Sequence, residues 1–287
     1  MCITSPLAYD FPIIRANAGA RKVDGRPAWT VYNAAVTLPI GPAILAQRLT
    51  KHYGAPAVVE DLSFAVERGE IVGFLGPNGA GKTTTLGMLL GLLKPTRGRV
   101  EILGLPMPEA RRRILARVNF TSPYVSLPGN LTVGENLAVF ARLYGVTRPG
   151  ERIDALLQRF GLAHLRNRAA GRLSSGEGTR LGLVKALLND PEVLFLDEPT
   201  ASLDPDGAER VRQALKEIRD ERGMTLFYTS HNMQEVERLS DRILFLHRGR
   251  LLADGAPGDV LRRFERDTLE HMFLDVAREE APAAWGA

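Results

Sequence analysis

Gly76-Pro77-Asn78-Gly79-Ala80-Gly81-Lys82-Thr83, followed by Thr84, decides how the chain is to be read. It fits Gly-x-x-x-x-Gly-Lys-Ser/Thr, and its flanks place it where that pattern carries chemistry. Glu70–Leu75 before it reads as a short apolar strand. Thr83–Leu93 after it reads as an almost wholly apolar, buried helix, stopped by Lys94 and Pro95. The glycines let the loop close around an anion with successive backbone N–H groups pointing inward, and the helix N-terminus adds the positive end of its dipole. Lys82 then reaches the β- and γ-phosphates of a nucleotide, and the Thr83 hydroxyl is a ligand for Mg²⁺.

Outward from this loop the chain alternates short apolar runs with turn signals and helix-period segments. Val58–Val66, Val193–Leu196, Thr225–Thr229 and Ile243–Leu246 read as strands, the last three each placed before a polar turn. That is the pattern of an α/β domain with a mostly parallel sheet. Asp204–Arg222 is a helix with Asp204 as N-cap, Pro205 as first helical residue, an apolar stripe of Val211, Leu215 and Ile218, and Gly223 as stop. Residues 121–180 differ in texture, with amphipathic helices Val133–Tyr144 and Arg152–Phe160 and no strands, and read as an all-helical insertion. The expected organisation is an N-terminal extension with partly disordered character at 1–42, a nucleotide-binding domain at 43–260, and a short C-terminal helix and tail at 261–287.

Composition excludes several classes. With 287 residues, 45% hydrophobic and 24% charged, the chain reads as an ordinary globular protein of one or two domains, not a disordered or multi-span one. One cysteine, Cys2, rules out a disulfide framework and a cysteine-based zinc site, and points to a reducing compartment. The net charge of +4 is spread along the chain. Arg111-Arg112-Arg113 is the only basic run and reads as a solvated helix face, so no nucleic-acid partner is expected. Pro27–Gln47 is uncharged but contains Thr30, Asn33, Pro39, Gly41 and Pro42, so no spanning helix is expected there. The first 26 residues carry Asp10 and Asp24 and no clean apolar block, against a cleaved leader.

A nucleoside triphosphate site needs a second metal-binding carboxylate at a neighbouring strand end. Asp197, closing the run Val193-Leu194-Phe195-Leu196, supplies it, and Glu198 beside it is the candidate general base for an attacking water. Leu173-Ser174-Ser175-Gly176-Glu177 taken alone is a helix start, because Ser174 and Glu177 have capping-box spacing. Its place, 20 residues ahead of Asp197, makes it more than that.

There the chain resembles the ATP-binding-cassette (ABC) ATPases, which carry an LSGGQ signature at this point; the order of motifs is similar from about Ala43 to Gly255. The resemblance implies a P-loop NTPase fold: a RecA-like core with a mostly parallel sheet, an antiparallel β subdomain and an inserted all-helical subdomain. It implies ATP and Mg²⁺ as ligands. Tyr53 matches the aromatic that stacks on adenine, Gly76–Thr84 the phosphate loop, and Asp197 and Glu198 the Mg²⁺ and catalytic carboxylates. Ala201-Ser202-Leu203-Asp204 matches the dimer-contact loop, and His231 the switch histidine that contacts the γ-phosphate. In such proteins the signature of one subunit, here Ser174, Ser175, Gly176 and Glu177, covers the γ-phosphate held by the other. His52, His164, His247 and His271 match nothing and read as structural.

Two departures stand out. Ser175 replaces a glycine and Glu177 the usual glutamine; a carboxylate there could repel nucleotide, or turn back onto the backbone in a capping box, which leads us to expect retained activity. In addition, no glutamine lies between Gln47 and Gln158, so the family's glutamine that reaches Mg²⁺ and senses the membrane partner is replaced by Pro123 or Ser122. Either a water or Ser122 completes the metal shell, or turnover is slow.

The resemblance further implies a head-to-tail dimer, expected to be a homodimer, acting on a separate transmembrane permease from the cytoplasmic face of the membrane. Asp267–Leu274 looks like the terminal helix of cassettes from prokaryotic exporters of drugs, antibiotics or lipid-linked polymers, although Leu269, Met272, Phe273 and Val276 equally suit a docking helix. Two other readings remain at this point. One is a soluble ABC ATPase acting on ribosomes or DNA, whose paired cassettes or long coiled coils do not occur here. The other is a regulatory subunit that binds ATP and barely hydrolyses it, against which Glu198 and His231 argue.

Overall fold

The computed structural model of the chain describes residues 41–54, 56–122 and 127–278. The N-terminal extension, apart from residues 41 and 42, therefore lies outside the described residues, as do Pro123 and the tail from 279 onward.

Two sheets organise the described residues. Strands β1 (Ile44–Lys51), β2 (Val59–Val66), β4 (Arg97–Ile102) and β5 (Leu105–Met107) pair antiparallel in the order β2-β1-β4-β5. The second sheet has the order β10-β9-β3-β8-β7-β6, built from β3 (Ile71–Leu75), β6 (Val118–Thr121), β7 (Val193–Asp197), β8 (Thr225–Thr229), β9 (Arg242–His247) and β10 (Arg250–Gly255). Its strands run parallel except the β9–β10 hairpin. Every residue of β3 and β8 is buried, as central strands covered on both faces must be. Phe64 of the antiparallel sheet stacks on Phe227 at 5.8 Å, and Phe74 and Phe195 close on the same ring at 5.2 and 6.0 Å. These aromatics join the two sheets through one core.

Register is what positions the site. Asp197 pairs with Thr229 across β7 and β8, and Phe74 pairs with Thr229 across β3 and β8. The loops after β3, β7 and β8 consequently leave the sheet together at its carboxyl edge, where ligands of open α/β sheets bind.

The helix after β3, α1 (Lys82–Leu89), is shorter than the expected Thr83–Leu93. Lys94 and Pro95 do not end it. Gly91 does, at φ +65°, with Leu92 N–H donating to Gly87 O at 2.8 Å and Gly91 N–H to Met88 O at 3.1 Å. This is a Schellman cap. Helix α2 (Arg111–Leu115) carries the three arginines on its exposed side. The segment between β6 and β7 holds α3 (Val133–Leu143), α4 (Pro149–Arg159) and α5 (Ser175–Ala186), packed through Leu137, Ile153, Leu157, Leu181 and Val184. Helix α6 (Pro205–Arg222) starts as its sequence dictates: Asp204 Oδ1 accepts from Gly207 N at 2.7 Å, and Gly223 ends it at φ +66°. After α7 (Met233–Leu239) and the β9–β10 hairpin come α8 (Pro257–Arg263) and α9 (Leu269–Ala277). Leu269, Met272 and Val276 of α9 are buried, and Leu269 N donates to Glu237 Oε1 of α7 at 3.1 Å. The helix expected at the C-terminus thus docks on its own chain.

Candidate functional site

The fully buried β3 delivers the chain into Gly76 with no freedom to drift. Gly76 sits at φ +148°, where an added Cβ would stand 2.2 Å from Leu246 O; at Gly81, φ +106°, it would stand 2.7 Å from Val58 O. Only glycine fits these two positions, and between them the backbone forms a cradle, with Asn78, Gly79 and Thr83 exposed. Gly81 caps α1 without any side-chain hydrogen bond, and no acidic residue occupies the first turn. No acidic side chain of the helix's own first turn therefore offsets its positive end. Lys82 folds back over the loop, its Nζ donating to Gly76 O at 2.5 Å and Pro77 O at 3.1 Å. Burial lowers the pKa of this ammonium from the ordinary lysine value, against the pull of the Glu198 and Asp197 carboxylates. A half-buried cation held only by carbonyl oxygens suits an incoming polyanion.

The two carboxylates have different surroundings. Asp197 is fixed on both oxygens: Thr229 Oγ1 donates to Oδ1 at 2.6 Å, and Ser122 Oγ donates to Oδ2 at 3.4 Å. Of the two residues expected in place of the missing glutamine, Ser122 is thus brought to the metal-binding candidate, and Pro123 lies outside the described residues. Glu198 takes φ +51°, a conformation a non-glycine residue holds only when its surroundings enforce it. Its N–H donates to Thr229 O at 3.1 Å, and its Oε2 lies 2.7 Å from His231 Nδ1. His231 remains largely exposed and its backbone N–H also points to Glu198 Oε2, at 3.4 Å.

No group of three or more His, Cys, Asp or Glu residues suited to hold a metal ion occurs among the described residues. The expected donors are the hydroxyl of Thr83 and the carboxylate of Asp197, with the Ser122 hydroxyl beside that carboxylate, and so sparse a set of oxygens suits Mg²⁺, which is held by few protein oxygens together with phosphate oxygens and water.

Ser174 Oγ accepts from Glu177 N at 3.2 Å and Glu177 Oε2 accepts from Ser174 N at 2.7 Å, forming the capping box at the start of α5. The backbone N–H of Ser174 holds the Glu177 carboxyl below the usual carboxylate range. Of the two expected alternatives, the structure shows the capping box, with the Glu177 carboxylate directed onto the chain's own backbone. Ser174 and Ser175 line a cavity of about 290 Å³ together with Ser122, Asp197, Glu198 and Ser202; Gly76–Thr84 do not line it. Tyr53 stands exposed just after β1, with Lys51 Nζ over its ring, 5.1 Å from the centre.

Four residues of this region escaped the sequence reading. Thr229 orients Asp197 and receives the N–H of Glu198, while Thr200, Ser230 and Glu235 form a buried polar cluster behind the two loops. Asn232 and Glu235 have visible N-cap to N3 spacing, but the burial of Glu235 follows from the packing of α7 and not from any local pattern.

Comparison with known proteins gives the family and the fold. Residues 59–201 match the family model described as ABC transporter. The bacitracin transport ATP-binding protein BcrA of Bacillus licheniformis is 42% identical over 230 residues, 79% of this chain and 74% of that protein. The Nod factor export ATP-binding protein I of Burkholderia orbicola (strain AU 1054) is 43% identical over 213 residues, 74% of this chain and 70% of that protein. Among solved structures, an ATP-binding subunit of an ABC transporter superposes with a TM-score of 0.72 at 29% identity, covering 82% of this chain and 99% of its own. The dimeric bacterial ABC transporter cassette MJ0796 superposes with a TM-score of 0.68 at 26% identity, covering 74% and 98%. No helix among the described residues is long and apolar enough to cross a membrane. On sequence, fold and site together, this chain belongs to the ABC transporter family, as one of its ATP-binding, ATP-hydrolysing subunits.

Proposed function

We propose that the chain is the motor of an exporter: it binds ATP with Mg²⁺, closes on a second copy of itself, hydrolyses the nucleotide, and passes the opening and closing to a separate transmembrane permease at the cytoplasmic face of the membrane. The observation that carries hydrolysis is the 2.7 Å contact between Glu198 and His231 at the edge where the phosphate loop also emerges. Export is supported by relatives named for bacitracin transport and Nod factor export, and pairing by the dimeric cassette of the same fold.

In this reading Tyr53 stacks on the adenine, the N–H groups of Gly76–Thr84 bind the phosphates, and Lys82 binds the β- and γ-phosphates. Thr83 and Asp197 hold the Mg²⁺, which when bound supplies neutralisation of the phosphate charge. Glu198 removes the proton from the attacking water, a role suited to a carboxylate held by backbone strain at one edge and by His231 at the other. His231 senses the γ-phosphate. Ser174, Ser175, Gly176 and Glu177 complete the site of the second copy, a reading supported by the dimeric cassette of the same fold. The Ser174 hydroxyl accepts from Glu177 N and so keeps its proton for donation to a phosphate oxygen.

The test is capture of the tagged chain from its own cell after membranes are dissolved in mild detergent. A polytopic membrane protein recovered in stoichiometric amount, whose presence raises ATP turnover, is the expected result. Recovery only from the soluble fraction, with ribosomes or DNA-processing proteins, would overturn the transport reading.

A further inference from the structure

Glu235 is the one carboxylate in this region that the reading above does not use. It lies in the first turn of α7 and is 2% exposed, a position carboxylates occupy only with compensation. A single oxygen carries that compensation. Oε2 accepts from Thr200 Oγ1 in a short hydrogen bond and from Ser230 Oγ at 3.1 Å; Oε1 has no hydrogen-bond partner. Burial pushes this carboxyl above the usual range, opposed by the two hydroxyls.

The two hydroxyls belong to the two turns that carry the reacting groups. Thr200 lies in the turn after Glu198, where Ala201 N donates to Glu198 O at 3.3 Å and Leu203 N to Thr200 O at 3.0 Å. Ser230 immediately precedes His231, and its Oγ also accepts from Asn232 N at 3.0 Å. On the far side of His231, Asn232 Oδ1 accepts from Glu235 N at 3.1 Å. His231 is thus flanked on both sides by residues bonded to Glu235, and the turn after Glu198 is bonded to the same carboxyl oxygen.

We infer that Glu235 is a positioning residue which clamps the turn following Glu198 to the turn carrying His231, and so sets the contact between those two groups on which turnover depends. The clamp acts through His231 and Glu198 and touches no nucleotide. It also joins Thr200 to the segment Ala201–Asp204, so that movement of that segment at a dimer interface is transmitted to His231. This inference rests on the proposed roles of Glu198 and His231.

It is tested on the full chain by measuring ATP turnover, Mg·ATP affinity and melting temperature together. Glu235→Gln keeps an oxygen that accepts from both hydroxyls and is expected to retain about a third or more of the wild-type kcat, whereas Glu235→Ala is expected to lose at least about tenfold in kcat with affinity changed less than about twofold. In a His231→Ala background, Glu235→Ala is expected to change the residual single-turnover rate by less than about twofold, because it acts through that residue. Should Glu235→Ala fail to fold, Thr200→Val and Ser230→Ala each carry the test, with losses of about fivefold in kcat expected at unchanged affinity. A folded Glu235→Ala chain with wild-type kcat, a loss that multiplies with that of His231→Ala, or unchanged kcat in both hydroxyl variants would overturn the clamp. Glu198→Gln serves as the separate control: wild-type turnover in that variant would defeat the reading of the site itself, whatever Glu235 does.

Discussion

Glu177 illustrates how much one residue's geometry decides. Its type and place allowed either repulsion of a triphosphate or a turn back onto the backbone, and its capping box directs the carboxylate to Ser174 N. Glutamine preserves that bond through its amide oxygen, so Glu177→Gln is expected to leave kcat within about threefold. A rise of tenfold or more in nucleotide affinity would show that the charge does face the ligand. The pH dependence has a definite sign. Because the folded state holds this carboxyl below its ordinary value, its stabilisation is present above that ordinary value and is lost as pH falls through the lowered one. The stability difference between wild type and Glu177→Gln, measured by urea titration, should therefore be flat from neutral pH to about pH 5 and shrink below it. Ser174→Ala removes the other half of the box and is expected to cost about 1 kcal/mol.

At the scale of elements, legibility followed locality. Helix α6 was readable to the residue because Asp204, Pro205 and Gly223 are chain-local signals, and β3 with its glycine loop was readable for the same reason. The end of α1 was misread because Gly91 lies within an apolar run that otherwise reads as continuous helix, and its left-handed cap outweighs the more conspicuous Pro95. The bonds from Thr229 to Asp197 and from Thr200 to Glu235 were not readable, since both depend on which strands are neighbours, and the order β10-β9-β3-β8-β7-β6 is not written in any local pattern. Two of the three glycines of the phosphate loop allow a direct check. Gly79 is at φ +80° with open space around a would-be Cβ, whereas Gly81 adds a collision with Val58 O. Gly79→Ala is expected to cost about 1–2 kcal/mol from conformation alone. Gly81→Ala should exceed it and also weaken nucleotide binding, read as a larger fall in melting temperature and a raised Kd; equal effects would argue against the tight approach at Gly81.

At the scale of the whole molecule, the proposed function makes each chain half of a paired site, its nucleotide covered by the signature of a second cassette, and the sequence disclosed this only through its resemblance to proteins that pair. The C-terminal helix belongs to the same scale. Its apolar residues suited either a partner or the chain itself, and packing against α7 chose the latter. Each of Leu269, Met272 and Val276 contributes about 1.5–3 kcal/mol of burial before correction for a compact unfolded state. Truncation before Thr268 is therefore expected to lower the stability of the isolated chain by a few kcal/mol in urea titration; unchanged stability would mean that the helix serves an outside partner instead. The most direct test of the chain as a paired ATPase is light scattering of Glu198→Gln with Mg·ATP, alongside its rate of phosphate release. A nucleotide-dependent dimer with turnover abolished is the expected result, and a monomer that releases phosphate at the wild-type rate would contradict it.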